Sequence, residues 1–351
     1  PSSILYMAIL RFLLFPFAIL YNLVTGLRNR LYDQELKPSV KFDLPVIGIG
    51  NLTAGGTGKT PLTEYLIRLL ARNYRVATLS RGYGRSTNGF RMAQPTDSAL
   101  TLGDEPFQFF VKFGDRVKVA VGEERALAIA NILHHHPKTQ VILLDDAFQH
   151  RRVSPSLDIL LTDYHRPFYE DFLLPAGRLR ESRSGARRAD IVIVTKCPQE
   201  ITDEEMIEIE KSIRVFVEKP VFFTHIRYGN PTPLGHPEIK LGDQIVLLSG
   251  ISNSQPLEHY VSQNYKLKKH FNYPDHHPYT NADLERLNRF IADHPSASIL
   301  TTEKDKVKLA APEFDSIIQR LPIFYLPIEV EFIKNGQDFD EMVLNSIKRV
   351  G

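Results

Sequence analysis

From residue 44 to about 225 the chain alternates short unbroken apolar runs with segments whose apolar residues recur every three or four positions. The runs are "PVIGIG" (45–50), "RVATLS" (75–80), "KVAV" (118–121), "QVILLDD" (140–146), "LDILLTD" (157–163) and "DIVIVTK" (190–196). Runs without in–out alternation suit parallel strands covered on both faces. Stretches such as "EERALAIANILHH" (123–135) carry helical spacing between them. Strand and helix in turn predict an α/β fold, a mainly parallel sheet flanked by helices. The Pro- and Gly-rich "RYGNPTPLGHPEIKLGD" (227–243) reads as a linker. Beyond it, "QIVLLSGIS" and "SILTTEKD" predict strands of a second, smaller α/β domain, and "DFDEMVLNSIKRV" predicts a helix. The expected organisation is an N-terminal helix (1–32), a larger domain (33–226), a linker (227–243) and a smaller domain with the C-terminal helix (244–351).

The first thirty residues have a different pattern. From Phe12 to Leu27 sixteen residues pass without a charge, bracketed by Arg11 and by Arg28 and Arg30. As a helix this run is about 24 Å long, short of the roughly 30 Å hydrocarbon layer, and Pro16 is expected to kink it. A secretory leader is not predicted, because the whole apolar stretch "ILYMAILRFLLFPFAILYNLVTGL" (4–27) has no basic residues before it and no small-residue cleavage site after it. Three readings stay open: a helix lying in a bilayer interface, a core helix, or a span. The aromatic and aliphatic face with flanking cations favours the first.

Between the first apolar run and the next helical one lies "NLTAGGTGKT" (51–60). Glycines between strand and helix let backbone N–H groups close on phosphate oxygens, and the helix N-terminus adds positive potential. The predicted nucleotide cradle is Thr53, Ala54, Gly55, Gly56, Thr57, Gly58, Lys59 and Thr60. Lys59 is expected to reach the β- and γ-phosphates, and the Thr60 hydroxyl to ligate Mg²⁺. Thr53 stands where the strict pattern has its first glycine. Ala54 stands where a partner-activated ATPase carries its signature lysine, which counts against that class. "VILLDDAFQHRR" (141–152) supplies the metal-binding acid, Asp145 or Asp146, directly or through water.

Asp104 and Glu105 in "TLGDEPF" suit either a helix start or a base that takes a proton from a hydroxyl. "NYPDHHPYT" (272–280) offers Asp275, His276 and His277 as an orienting or relaying group. "LLPAGRLRESRSGARRAD" (173–190) carries Arg178, Arg180, Arg183, Arg187 and Arg188 with Glu181, a set suited to phosphoryl oxygens or an anionic substrate. Arg81, in the basic turn "LSRGYGR" (79–85), sits at a strand end where ligands gather in open α/β sheets. "TTEKD" (301–305) reads as a helix cap, Thr302 facing Asp305.

Composition narrows the classes further. A formal charge of +2 over 351 residues gives no whole-molecule field for nucleic acid. A single cysteine, Cys197, excludes an intramolecular disulfide framework and fits a reducing compartment.

Taken in order, "GNLTAGGTGKTP", "LSRGYGR", "GDEP", "DDAFQHRR", "LLPAGRLRE", "PDHH" and "TTEKD" resemble the tetraacyldisaccharide 4′-kinase family of lipid A biosynthesis. The resemblance implies a P-loop NTPase-like larger domain, a hinge-like linker to the smaller one, and a site in the cleft between them. It implies ATP and Mg²⁺ as cofactors and transfer of the γ-phosphate to the 4′-hydroxyl of an acylated glucosamine disaccharide 1-phosphate lipid, giving lipid IVA. It implies work at the cytoplasmic face of the bacterial inner membrane, with no obligate protein partner and no nucleic acid. Asp104 is then the base, assisted by His276, with Arg180 beside the phosphoryl group. Asp145, Asp146, Thr60 and Glu181 serve the metal, and Glu105, Arg81, His150 and Arg178 lie at the substrate or behind it. The rival readings are a regulatory membrane-associated P-loop NTPase acting on a protein partner, and a nucleotide-binding scaffold without turnover.

Overall fold

The computed structural model describes residues 2–235 and 238–350. Every predicted strand forms. Seven parallel strands form the body of the large sheet, which has nine strands among the described residues, in the order Val221–Tyr228, Ile191–Thr195, Leu157–Asp163, Val46–Asn51, Val141–Asp145, Val76–Ser80, Val117–Val121. Val46–Asn51, Val141–Asp145, Val76–Ser80 and Ile191–Thr195 are buried along their whole length, as unbroken apolar runs require. Each fully buried Leu or Ile in such a layer stabilises the fold by roughly 1.5–3 kcal/mol. Gly50 is a close-approach glycine, since a Cβ there would lie 2.8 Å from the Phe148 backbone nitrogen.

The chain divides into two compact units whose membership differs from the expected boundaries. The first runs to Arg81 and adds Asp115–Ile226 and the chain from Val330 onward; the second comprises Gly82–Gly114 and Arg227–Glu329. The segment carrying Asp104 and Glu105 therefore belongs with the smaller unit. Helix Asp104–Phe113 packs there against helix Glu303–Leu309, fastened by Lys112 and Glu303 at 2.9 Å. The expected 227–243 linker is part of this unit too: Thr232–Pro233 extends its sheet antiparallel to Ile323–Leu326, and His236 and Pro237 lie outside the described residues. The other strands of that sheet, Lys266–Asn272, Gln244–Ser249 and Ala297–Thr302, are parallel.

The C-terminal helix, Gly336–Lys348, packs on the first unit instead of the smaller one. Its Phe339 joins Tyr65, Phe222 and Phe332 in an aromatic cluster, with ring centroids 4.7–6.1 Å away. Tyr65 also donates to Asp340 at 2.8 Å.

One helix, Ser2–Asp33, continues through Pro16. Phe12, Phe17, Leu20, Leu23, Val24 and Leu27 are each more than 60 % exposed, so the core-helix reading fails. Its second half is fastened by polar contacts: Tyr21 Oη donates to Arg180 O at 2.8 Å, and Arg28 to Gln149 O at 2.7 Å.

Candidate active site

Strand Val46–Asn51 sits between two parallel neighbours, and its carboxyl end runs into the glycine loop. Gly58, at φ 80°, caps helix Lys59–Leu70, and Gly55 has φ 116°. A side chain at either would be strained in the left-handed region. The loop is held from one side by the arginine segment. Arg180 N donates to Leu52 O and Ala54 N donates to Arg178 O, both at 2.7 Å. Thr53 pairs with Leu179 in an antiparallel bridge. That pairing explains the missing glycine: an extended residue needs no positive φ. Gly55 and Gly56 are exposed, Thr57 is buried, and Thr60 stands half-buried in the first helical turn.

Lys59 Nζ lies 3.4 Å from Asn51 Oδ1 and 3.5 Å from Asp146 Oδ1. Arg180 Nη1 donates to both Asp146 oxygens at 2.9 and 3.0 Å. Burial pushes the Asp146 pKa up, but the Lys59 and Arg180 charges outweigh it and hold the carboxyl below its ordinary value. Asp145 ends its strand opposite Ile49, whereas Asp146 turns into left-handed backbone at φ 50°. The neighbours therefore diverge: Asp145 meets Ser80 Oγ at 3.4 Å, while Asp146 meets the two cations. Behind them, burial lowers Arg125 to about 10. His150 falls to about 4 through burial and the charges of Arg125 and Arg81, so it is neutral at pH 7. Arg81 and Arg178 are exposed.

Glu181 is buried, and both its oxygens are engaged. Arg188 donates at 2.8 and 3.0 Å, Asn29 at 2.7 Å and Gln149 at 3.0 Å. It ties the N-terminal helix to the arginine segment, and service to a metal requires exchange of one of these donors. Among the described residues no group of three His, Cys, Asp or Glu forms a protein cage. A magnesium ion bound with a triphosphate keeps phosphate and water in most of its shell, so one or two hard oxygens of the kind Thr60, Asp145 and Asp146 carry fit it better than a protein cage would.

In the smaller unit Asp104 and Glu105 open helix Asp104–Phe113 behind Gly103, at φ 94°. A Cβ on Gly103 would lie 3.1 Å from Gly82 Cα. Asp104 Oδ2 meets His276 Nδ1 at 3.0 Å. His277 is engaged elsewhere, with Asp283 at 3.1 Å and stacked on Tyr273 at 4.3 Å. His276 is thus the member of the pair that reaches Asp104. Burial raises the Asp104 pKa, but the His276 hydrogen bond and the charges of Lys308 and Lys304 bring it below the ordinary carboxylate value. The same hydrogen bond raises His276, against burial and Lys304.

The sequence did not single out Lys304 or Lys308. Thr302 does accept from Asp305 N at 3.0 Å. The helix it starts also delivers Lys304 Nζ to His276 Nε2 at 3.2 Å and Lys308 Nζ to Asp104 at 3.8 Å. Lys304 further contacts Asp275 at 3.0 Å and Glu105 at 3.3 Å. The available signal was the i,i+4 spacing of the two lysines, which puts them on one helix face.

A central parallel strand entering a glycine loop and a lysine-led helix, with an acid at the tip of the neighbouring strand, defines a P-loop nucleotide-binding protein. Comparison with known proteins narrows the class. The family described as tetraacyldisaccharide-1-P 4′-kinase (LpxK) matches residues 10–348, and the chain belongs to that family. It is 46 % identical over 347 residues to a tetraacyldisaccharide 4′-kinase of Flavobacterium johnsoniae, covering 97 % of this chain and 98 % of the relative. It is 42 % identical to one of Phocaeicola vulgatus, covering 96 % and 95 %. The crystal structure of LpxK from Aquifex aeolicus in complex with ATP matches with a TM-score of 0.75 at 28 % identity, covering 96 % of this chain and 99 % of that one.

Proposed function

We propose that the chain transfers the γ-phosphate of ATP to the 4′-hydroxyl of tetraacyldisaccharide 1-phosphate, giving lipid IVA. Family membership supports the reaction, and the observation that carries the mechanism is the 3.0 Å contact between Asp104 and His276. A hydroxyl acceptor needs a base that is ionised yet desolvated, and Asp104 is kept as a carboxylate by His276 and two lysines. The acceptor oxygen forms the new bond to γ-phosphorus, the bond to the β-bridging oxygen breaks, and the hydroxyl proton passes to Asp104.

In this reading the amides of residues 55–60 and Lys59 bind the triphosphate, and Arg180 and Lys59 offset charge on the transferring group. Magnesium, when bound, screens the phosphate charges, with Thr60 and Asp145 or Asp146 as its protein ligands. Asp146 is then shared between metal and cations, and Glu181 joins only by releasing a donor. Glu105 acts through Lys304, while Arg81, Arg178 and His150 line the nucleotide side. The exposed apolar residues between Phe12 and Leu27 support a position on the membrane surface, where an acylated substrate resides; the cytoplasmic face of the inner membrane is the side that holds ATP.

A regulatory NTPase has no use for a lysine-flanked Asp–His pair, and family membership does not favour it. The test is ³¹P NMR of the lipid recovered after incubation with ATP and Mg²⁺. A second phosphomonoester resonance coupled to the 4′ position supports the proposal; an unchanged lipid spectrum with ADP formed refutes it.

A further inference from the structure

Five non-glycine residues have positive φ among the described residues, and two of them, Asp146 and His276, belong to the clusters above. Lys196, at φ 59°, is a third. A lysine rarely adopts left-handed backbone, and such residues persist where the surroundings over-determine them, often at functional sites. What surrounds Lys196 is the glycine loop. Its Nζ donates to the carbonyl of Gly56 and pairs with Asp163 Oδ2 at 2.7 Å. Asp163 is the register partner of Thr195 on the adjacent strand. Thr195 Oγ1 donates to the carbonyl of Thr57 at 2.9 Å. Two consecutive loop carbonyls are thus held by the end of one strand.

The consequence follows from peptide planarity. The carbonyl of one residue and the N–H of the next are opposite ends of one rigid unit. Holding the Gly56 carbonyl away from the phosphate side turns the Thr57 N–H toward it, and holding the Thr57 carbonyl does the same for the Gly58 N–H. A loop with either plane flipped would present a carbonyl dipole to an anion. Asp163 and the Gly56 carbonyl together hold the Lys196 ammonium against the loop backbone, and the role assigned to it is to fix that peptide plane.

We infer that Thr195, Lys196 and Asp163 are positioning residues, a clamp that presets two peptide planes of the glycine loop for a triphosphate. The inference rests on the nucleotide-binding reading above. Its test is equilibrium titration of the full chain with a fluorescent ATP analogue and Mg²⁺, alongside thermal unfolding. Lys196→Asn removes the clamp but suits left-handed backbone, so its unfolding midpoint should match or exceed wild type. Its nucleotide Kd should rise about tenfold, as loss of a charge-assisted hydrogen bond implies. Thr195→Val should weaken binding in the same direction, and Lys196→Arg should stay within about threefold because it can still donate to Gly56 O and pair with Asp163. Wild-type affinity in Lys196→Asn, with binding abolished in a Lys59→Ala control, would overturn the clamp alone. No binding by the wild-type chain would remove the nucleotide reading and the clamp with it.

Discussion

His276 Nδ1 lies 3.0 Å from Asp104 Oδ2 although 172 positions separate the two residues. The contact couples their titrations: it lowers Asp104 and raises His276, so the carboxylate persists as the group able to accept a proton. Asp104→Ala should lower kcat by about two to four orders of magnitude, with nucleotide Kd unchanged. Stopped-flow turnover and equilibrium binding on the same preparation check this. Turnover near the wild-type level would remove Asp104 from the base role.

Lys304 sets a second expectation. Its ammonium faces His276 Nε2 at 3.2 Å, where a proton on that nitrogen would be repelled. The other charged groups at His276 are Asp104, Glu105 and Asp275, and the Tyr83 ring lies 5.6 Å away. Lys304→Met should therefore raise the His276 pKa and move the acidic limb of the kcat profile toward neutral pH. Imidazole NMR titration, assigned by the signal missing in His276→Gln, gives the direct reading. A lowered or unmoved value would contradict the electrostatic account.

His150 predicts a pH dependence of stability. Its folded pKa is about 4 against an ordinary 6.5, so between those values the unfolded chain binds the extra proton. Stability should fall as pH drops from 6.5 toward 4, and below that window this group adds no further slope. His150→Asn should flatten the slope in denaturant midpoints measured across that range. Equal slopes would assign the loss to other groups.

The N-terminal helix makes a fourth prediction. Phe17, Leu20 and Leu23 are 62, 61 and 64 % exposed, so Glu at all three should leave the unfolding midpoint near wild type. Vesicle co-sedimentation should weaken by at least about tenfold, given roughly 1.5–3 kcal/mol per large apolar side chain withdrawn from the bilayer. Undiminished vesicle binding would mean that this face does not contact lipid.

How much of this could be read from the chain differs from element to element. The strands were legible because a parallel strand buried on both faces must be apolar at every position, a local property. The loop was legible for a related reason: positive φ at Gly55 and Gly58 demands glycine, and glycine is visible. The insertion of 82–114 into the smaller unit was not, because Phe109 buried and Val111 exposed describe an amphipathic helix without saying what it covers. Lys196 was hidden for the opposite reason to Gly58. It adopts left-handed backbone with a side chain that carries no sign of it, held by Gly56 140 residues away. Lys304 and Lys308 needed both the helix start and a distant partner before their shared face had meaning.

The most direct test is γ-labelled ATP with Mg²⁺ and tetraacyldisaccharide 1-phosphate in mixed micelles, followed by organic extraction, for the wild-type chain and for Asp104→Ala. The account predicts label in a lipid carrying one more phosphate for the wild type, and a loss of at least about a hundredfold in the variant. Label released only as inorganic phosphate, or equal lipid labelling by both proteins, would contradict it.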